Sequence, residues 1–130
     1  MNREPMRSPL GKALGRGSAK DGVEHWWLQR VTAVALVPLA VWLATSLIVH
    51  AGNDYATFIV WLRTPIATIV MALLLIALFY HTALGLQVVI EDYVHSGMKI
   101  PALVSVRFGC FALAVAGILA TLRIAFGVGD

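Results

Sequence analysis

Thr64-Pro-Ile-Ala-Thr-Ile-Val-Met-Ala-Leu-Leu-Leu-Ile-Ala-Leu-Phe-Tyr-His81-Thr-Ala-Leu-Gly85-Leu-Gln87-Val-Val-Ile90-Glu91-Asp92-Tyr93-Val-His95 decides how the rest of the chain is read. From Thr64 to Ile90 no acidic or basic side chain interrupts the run, apart from one histidine. At about 1.5 Å per residue a helix of that length exceeds a ~30 Å hydrocarbon core, so it tilts or extends beyond the bilayer. Pro65 suits a first helical turn, where its missing N–H removes nothing. His81 sits where only lipid-compatible residues are expected, and Asp92-Tyr93 follows where the apolar run stops. An ionisable residue at membrane depth marks a functional site by default.

Composition supports a membrane setting. The chain has 130 residues, 59% hydrophobic and 13% charged, with a mean hydropathy of +0.81. Soluble domains carry roughly 25% charged residues. A chain this apolar could not cover its own surface with polar groups, and it is too short to hold a large water-soluble domain beside its membrane part. Its single cysteine, Cys110, lies in an apolar context and reads as core filler. One cysteine makes no intrachain disulfide and holds no iron–sulfur cluster, which takes about four protein ligands. No glycine-rich dinucleotide fingerprint follows a strand-like run, and no nucleic-acid partner is expected. Redox chemistry on a soluble substrate would belong to another chain.

Two further spans flank the central one. Val31 to about Ala51 is uncharged and long enough to cross, with Pro38 expected to bend the helix gently. Pro101 to about Phe126 is the third span; Arg107 and Arg123, roughly 24 Å apart along a helix, fall near its two interfaces, where arginine can snorkel. Residues 1–17 read as a solvated tail, and 18–130 as a single membrane-anchor domain. The tail lacks the apolar core of a secretory signal, and Glu4, Asp21 and Glu24 argue against a transit peptide. Trp26 and Trp27 read as interface anchors, and residues 52–64 as a loop. Six Lys and Arg residues precede Val31, whereas the 52–64 loop has only Arg63. The positive-inside rule therefore puts the N-terminus and the 91–107 segment on the cytoplasmic side. Arg30, the His81 end of the second span and Tyr93 then share one leaflet. The expected fold is all-α, with three transmembrane helices.

His81 has two readings. With Ile90 as the helix end it lies roughly 14 Å deep. Val70, Leu74, Ala77, Leu78, Gly85, Val88 and Asp92 share its face at 100° per residue. Neutral imidazole is an iron ligand, and Gly85 leaves room for a flat macrocycle or a close helix. Alternatively His81 hydrogen-bonds a Ser or Thr of another helix, with Gly85 a packing notch. No second histidine lies at this depth: His50 is at the opposite interface, His95 beyond the helix end and His25 before the first span. A bis-histidine haem would need another subunit. Asp92-Tyr93 can donate to a quinone carbonyl and relay protons, or can be ordinary interface tyrosine chemistry. Arg30 is a positive-inside anchor or a partner for a propionate.

Two blocks carry a resemblance to a known family: Gly17-Ser-Ala-Lys-Asp-Gly-Val-Glu-His-Trp-Trp-Leu-Gln-Arg30-Val-Thr-Ala, and His81-x-x-x-Gly85-x-Gln87-x-x-x-x-Asp92-Tyr93-Val-His95. The chain resembles the hydrophobic membrane anchors of succinate dehydrogenase, complex II, in their alphaproteobacterial and mitochondrial-like form. The resemblance covers nearly everything after about residue 15. It implies a second three-span cytochrome b anchor subunit as partner and one haem b held between the two. On that resemblance His81 is this chain's axial haem ligand and Arg30 meets a haem propionate. His25 belongs to the propionate region, with its register one residue off the family pattern. Tyr93 hydrogen-bonds ubiquinone, and Asp92 is its acidic neighbour. The flavoprotein subunit, with FAD, and the iron–sulfur subunit would dock at the cytoplasmic face of the bacterial inner membrane and pass electrons from succinate to ubiquinone. A fumarate reductase anchor runs the same chemistry in reverse. A non-redox scaffold would use His81, Asp92 and Tyr93 only for packing, and a small transporter would need midplane polar residues in more than one span.

Overall fold

The computed structural model describes residues 18–128, with side chains from Gly22 onward. The tail expected over residues 1–17 lies outside the described residues. Four helices follow one another: α1 (Ser18–His50), α2 (Tyr55–Leu62), α3 (Pro65–Tyr93) and α4 (Lys99–Phe126). No strand occurs among the described residues. Three helices are long and apolar enough to cross a membrane, over Gly22–His50, Pro65–Tyr93 and Lys99–Phe126.

The spans stand where expected, but their polar ends reach further. α1 begins at Ser18 rather than Val31 and runs unbroken through Pro38. Hydropathy marks where lipid begins, not where hydrogen bonding begins, and Val23 to Arg30 contains no helix breaker. α3 ends at Tyr93 rather than Ile90, so Glu91, Asp92 and Tyr93 form its last turn and not a loop. Gln87 Nε2 donates to Glu91 Oε1 at 2.8 Å, an i to i+4 bond that carries the helix past the apolar run.

The 52–64 segment is not the loop expected of it. Asp54, in extended conformation, accepts from Thr57 N–H and caps α2. Hydrogen bonding from Thr57, its side chain first and its backbone N–H second, lowers the Asp54 carboxyl from its ordinary value. The ring of Trp61 then lies 4.4 Å from His50, 5.4 Å from Phe58 and 6.0 Å from Trp42, which ties α2 to the end of α1. Thr64 caps α3 through Ala67 N–H, with Pro65 in the first turn as anticipated. α4 closes on Gly127 at φ 64°, with Val128 N–H bonded to the Arg123 carbonyl and Gly127 N–H to that of Ile124. This is a Schellman closure that needs the left-handed residue.

α3 is the centre of the arrangement, with α1 packed on one side and α4 on the other. Cys110, Ala114, Gly117 and Thr121 recur every three or four residues, a small-residue stripe facing α3. A Cβ at Gly117 would stand 3.1 Å from Leu75 Cδ1. Ala67, Leu74, Leu84, Cys110 and Thr121 are the buried residues among those described, so Cys110 is core, as read from the sequence. The remaining surface is largely apolar, which suits helices whose solvent is lipid.

Candidate functional site

The site is built where the N-terminal half of α1 crosses the C-terminal half of α3. His25, Gln29 and Thr32 fall at i, i+4 and i+7 and so share one face of α1. That face meets His81 and Gly85 of α3. His81 Nδ1 lies 3.0 Å from Thr32 Oγ1. The Thr32 hydroxyl also lies 2.7 Å from the Leu28 carbonyl and 3.1 Å from that of Gln29, within its own helix. The two readings of His81 are therefore compatible: the interhelical bond occupies Nδ1, and Nε2 has no hydrogen-bond partner among the described residues.

Gly85 is filled by a close helix. A Cβ there would come to 3.5 Å from Gln29 Nε2, so the notch receives the Gln29 amide. Beside it, His25 Nε2 and Gln29 Oε1 are buried with no partner among the described residues. Buried polar atoms of this kind are rare and ask for an explanation. A polar group arriving from outside this chain would supply one: Gln29 Oε1 can only accept and so asks for a donor, whereas His25 Nε2 can donate to an acceptor such as a carboxylate when it carries the ring proton. Among the described residues no three His, Cys, Asp or Glu side chains gather to hold a metal. One imidazole alone suits iron already held by a macrocycle, with further ligation from elsewhere.

The other candidates are not drawn into this cluster. Arg30 projects roughly 140° around α1 from His25 and lies over the Trp26 ring, 4.3 Å from its centroid. Asp92 is one residue short of α3's end, on the His81 face of that helix by periodicity. Tyr93 lies about 18 Å beyond His81 by helical rise and is 81% exposed. Neither Asp92 nor Tyr93 makes a side-chain hydrogen bond among the described residues. Both are thus presented outward at one end of the helix, where a group from outside the chain can reach them. Gln87 has a role the sequence did not show. Its carbonyl accepts from Arg107 Nη2 at 2.7 Å while its amide donates to Glu91, so it joins α4 to the last turn of α3. Arg107 thus does more than snorkel.

Thr32 and Gln29 had no role assigned from the sequence, although the i, i+4, i+7 spacing of His25, Gln29 and Thr32 where α1 enters its apolar run was the signal available. The three long apolar helices define a multi-pass helical membrane protein. Comparison with known proteins agrees. The family model for the succinate dehydrogenase/fumarate reductase transmembrane subunit matches residues 4–122, and the chain belongs to that family. Its relatives include the succinate dehydrogenase hydrophobic membrane anchor subunit of Rickettsia bellii, 43% identical over 68% of this chain and 70% of the relative. The subunit of the same name from Rickettsia conorii is 33% identical over 88% and 92%. That from Paracoccus denitrificans is 30% identical over 92% and 93%. No solved structure matches the chain.

Proposed function

We propose that this chain anchors a succinate:ubiquinone oxidoreductase in the bacterial inner membrane, with its N-terminus cytoplasmic. The observation that carries the reading is the His81–Thr32 contact. It turns one ring nitrogen inward and leaves the other available at membrane depth, on the helix that ends in Asp92-Tyr93. His81 Nε2 would bind the iron of haem b, with the second axial histidine supplied by the partner cytochrome b anchor. Bound haem would supply a one-electron store close to the quinone. His25, whose Nε2 is buried and unpaired among the described residues, would meet the propionate region. Arg30 would turn its guanidinium from Trp26 toward a propionate, a geometry it matches bidentately.

At the end of α3, the Tyr93 phenol would donate to a ubiquinone carbonyl and Asp92 would orient donors or relay protons. Electrons would arrive from the flavoprotein subunit, through its FAD, and the iron–sulfur subunit, both docked against this face. The chain has no complete active site; it contributes position and electrostatics. The names of the relatives favour the succinate-oxidising direction over a fumarate reductase.

Two substitutions in the assembled complex test the reading. His81→Ala should remove or perturb the haem spectrum; an unchanged spectrum rules out the ligand assignment. Tyr93→Phe should slow ubiquinone reduction while succinate oxidation with an artificial acceptor continues. Equal loss of both activities would instead indicate failed assembly, and undiminished ubiquinone reduction would remove Tyr93 from the quinone site.

A further inference from the structure

The function proposed above uses the His81–Thr32 contact only to say which ring nitrogen is engaged; Thr32 makes the one side-chain bond that His81 has among the described residues. We propose that Thr32 is a positioning residue: its hydroxyl holds His81 in the Nδ1–H tautomer and so reserves Nε2 for iron. The inference rests on the reading of His81 as an axial ligand.

Protons and lone pairs decide the tautomer. A hydroxyl has one hydrogen to donate and two lone pairs to accept with. The Leu28 carbonyl lies 2.7 Å from Thr32 Oγ1 and the Gln29 carbonyl 3.1 Å, and a carbonyl can only accept. The hydroxyl hydrogen is therefore directed back along α1, between those two carbonyls. What Oγ1 shows to His81, at 3.0 Å, is a lone pair. The matching imidazole is the one with hydrogen on Nδ1 and a lone pair on Nε2. The opposite tautomer would accept the hydroxyl hydrogen at Nδ1, take it from the Leu28 carbonyl and leave Nε2–H without a partner. That arrangement makes fewer hydrogen bonds, in a setting where water supplies none.

The same bond fixes the plane of the ring. Thr is β-branched and its χ1 on a helix is restricted, the more so when the hydroxyl is bonded to the preceding turn. His81 is thus held by an anchor whose rotation is restricted by its bonds to the Leu28 and Gln29 carbonyls. A ligand histidine whose second nitrogen donates to a fixed acceptor is oriented and made more basic, and loss of that acceptor typically weakens metal binding roughly 10- to 100-fold.

The test uses the complete complex carrying Thr32→Val, which keeps the shape and removes the hydroxyl, beside Thr32→Ser, which keeps the hydroxyl. Thr32→Val should weaken haem retention in detergent on the order of tenfold. It should also shift the haem midpoint potential upward, because a less basic imidazole favours ferrous iron, and move the low-spin ferric resonance. Thr32→Ser should restore all three. Wild-type potential and resonance in Thr32→Val would overturn the proposal while leaving the ligand reading intact, provided His81→Ala loses the haem. A shift in the Ser variant alone would overturn it in favour of methyl packing, and equal shifts in the Val and Ser variants would overturn it in favour of a site that tolerates no change of side chain. An unchanged haem in His81→Ala would remove the ligand reading and this inference with it. If Thr32→Val fails to assemble, Thr32→Ala carries the same expectations and the same refutations.

Discussion

Gln87 offers a quantitative test of how α3 presents its last turn. Its carbonyl accepts from Arg107 at 2.7 Å and its amide donates to Glu91 at 2.8 Å. An amide can do both at once; a carboxylate only accepts, an ammonium only donates. Gln87→Leu should break both bonds and free the turn that carries Asp92 and Tyr93. Hydrogen bonds to charged groups contribute ~1.5–3 kcal/mol each. Arg107 and Glu91 are exposed, however, and water recovers most of that, leaving about 1 kcal/mol. At about 1.36 kcal/mol per decade this is roughly a fivefold change in the ratio of ordered to disordered turn. The assay is ubiquinone titration of the complex in native membranes. The expected result is a kcat/KM for ubiquinone lowered by up to about fivefold, with succinate oxidation by an artificial acceptor and the haem spectrum unchanged. Gln87→Glu, which keeps the Arg107 bond, should lie between. Wild-type quinone kinetics in Gln87→Leu would refute the idea that this clamp positions Tyr93.

Two other expectations concern the frame. Gly117→Leu should drive a side chain into Leu75, already 3.1 Å from a single added carbon, and cost on the order of 1–3 kcal/mol; a thermal midpoint of the detergent-solubilised complex equal to wild type would show that α3 and α4 separate freely. Asp54 caps α2 with a carboxyl lowered from its ordinary value, so its contribution is present above the unfolded value and lost as pH falls through the folded one. Protection of the Thr57 amide, corrected for intrinsic exchange, should therefore hold above the ordinary aspartate value and drop as pH falls below it, and Asp54→Ala should abolish that dependence.

The sequence showed the spans because lipid imposes one demand on about twenty successive residues, and Val31 to Ala51 or Thr64 to Ile90 meet it. It showed less about helix ends, where the demand stops but the hydrogen bonding continues: Ser18 and Tyr93 lie in polar stretches that hydropathy passes over. α2 stayed hidden because eight residues are too few for a span, and its cap, Asp54, resembled turn chemistry. His81 was legible as a lone ionisable group in an apolar run. Its partner was not, because pairing Thr32 with His81 depends on the register of α1 against α3, which no pattern within either helix encodes. Gln87 stood inside a quoted motif, yet its bonds cross to Arg107 on another helix.

The central place of α3 sets an order of events during synthesis. α1 leaves the ribosome first and carries His25, Gln29 and Thr32 on the face meant for a helix that has yet to be made. Thr32 and His81 are 49 residues apart in the chain. At roughly 5–20 residues per second, α1 waits about 2–10 s for that partner. During this interval its polar stripe has either lipid or the insertion machinery as a neighbour. The nascent chain is therefore most exposed to mispairing and proteolysis between the emergence of α2 and the arrival of the second half of α3.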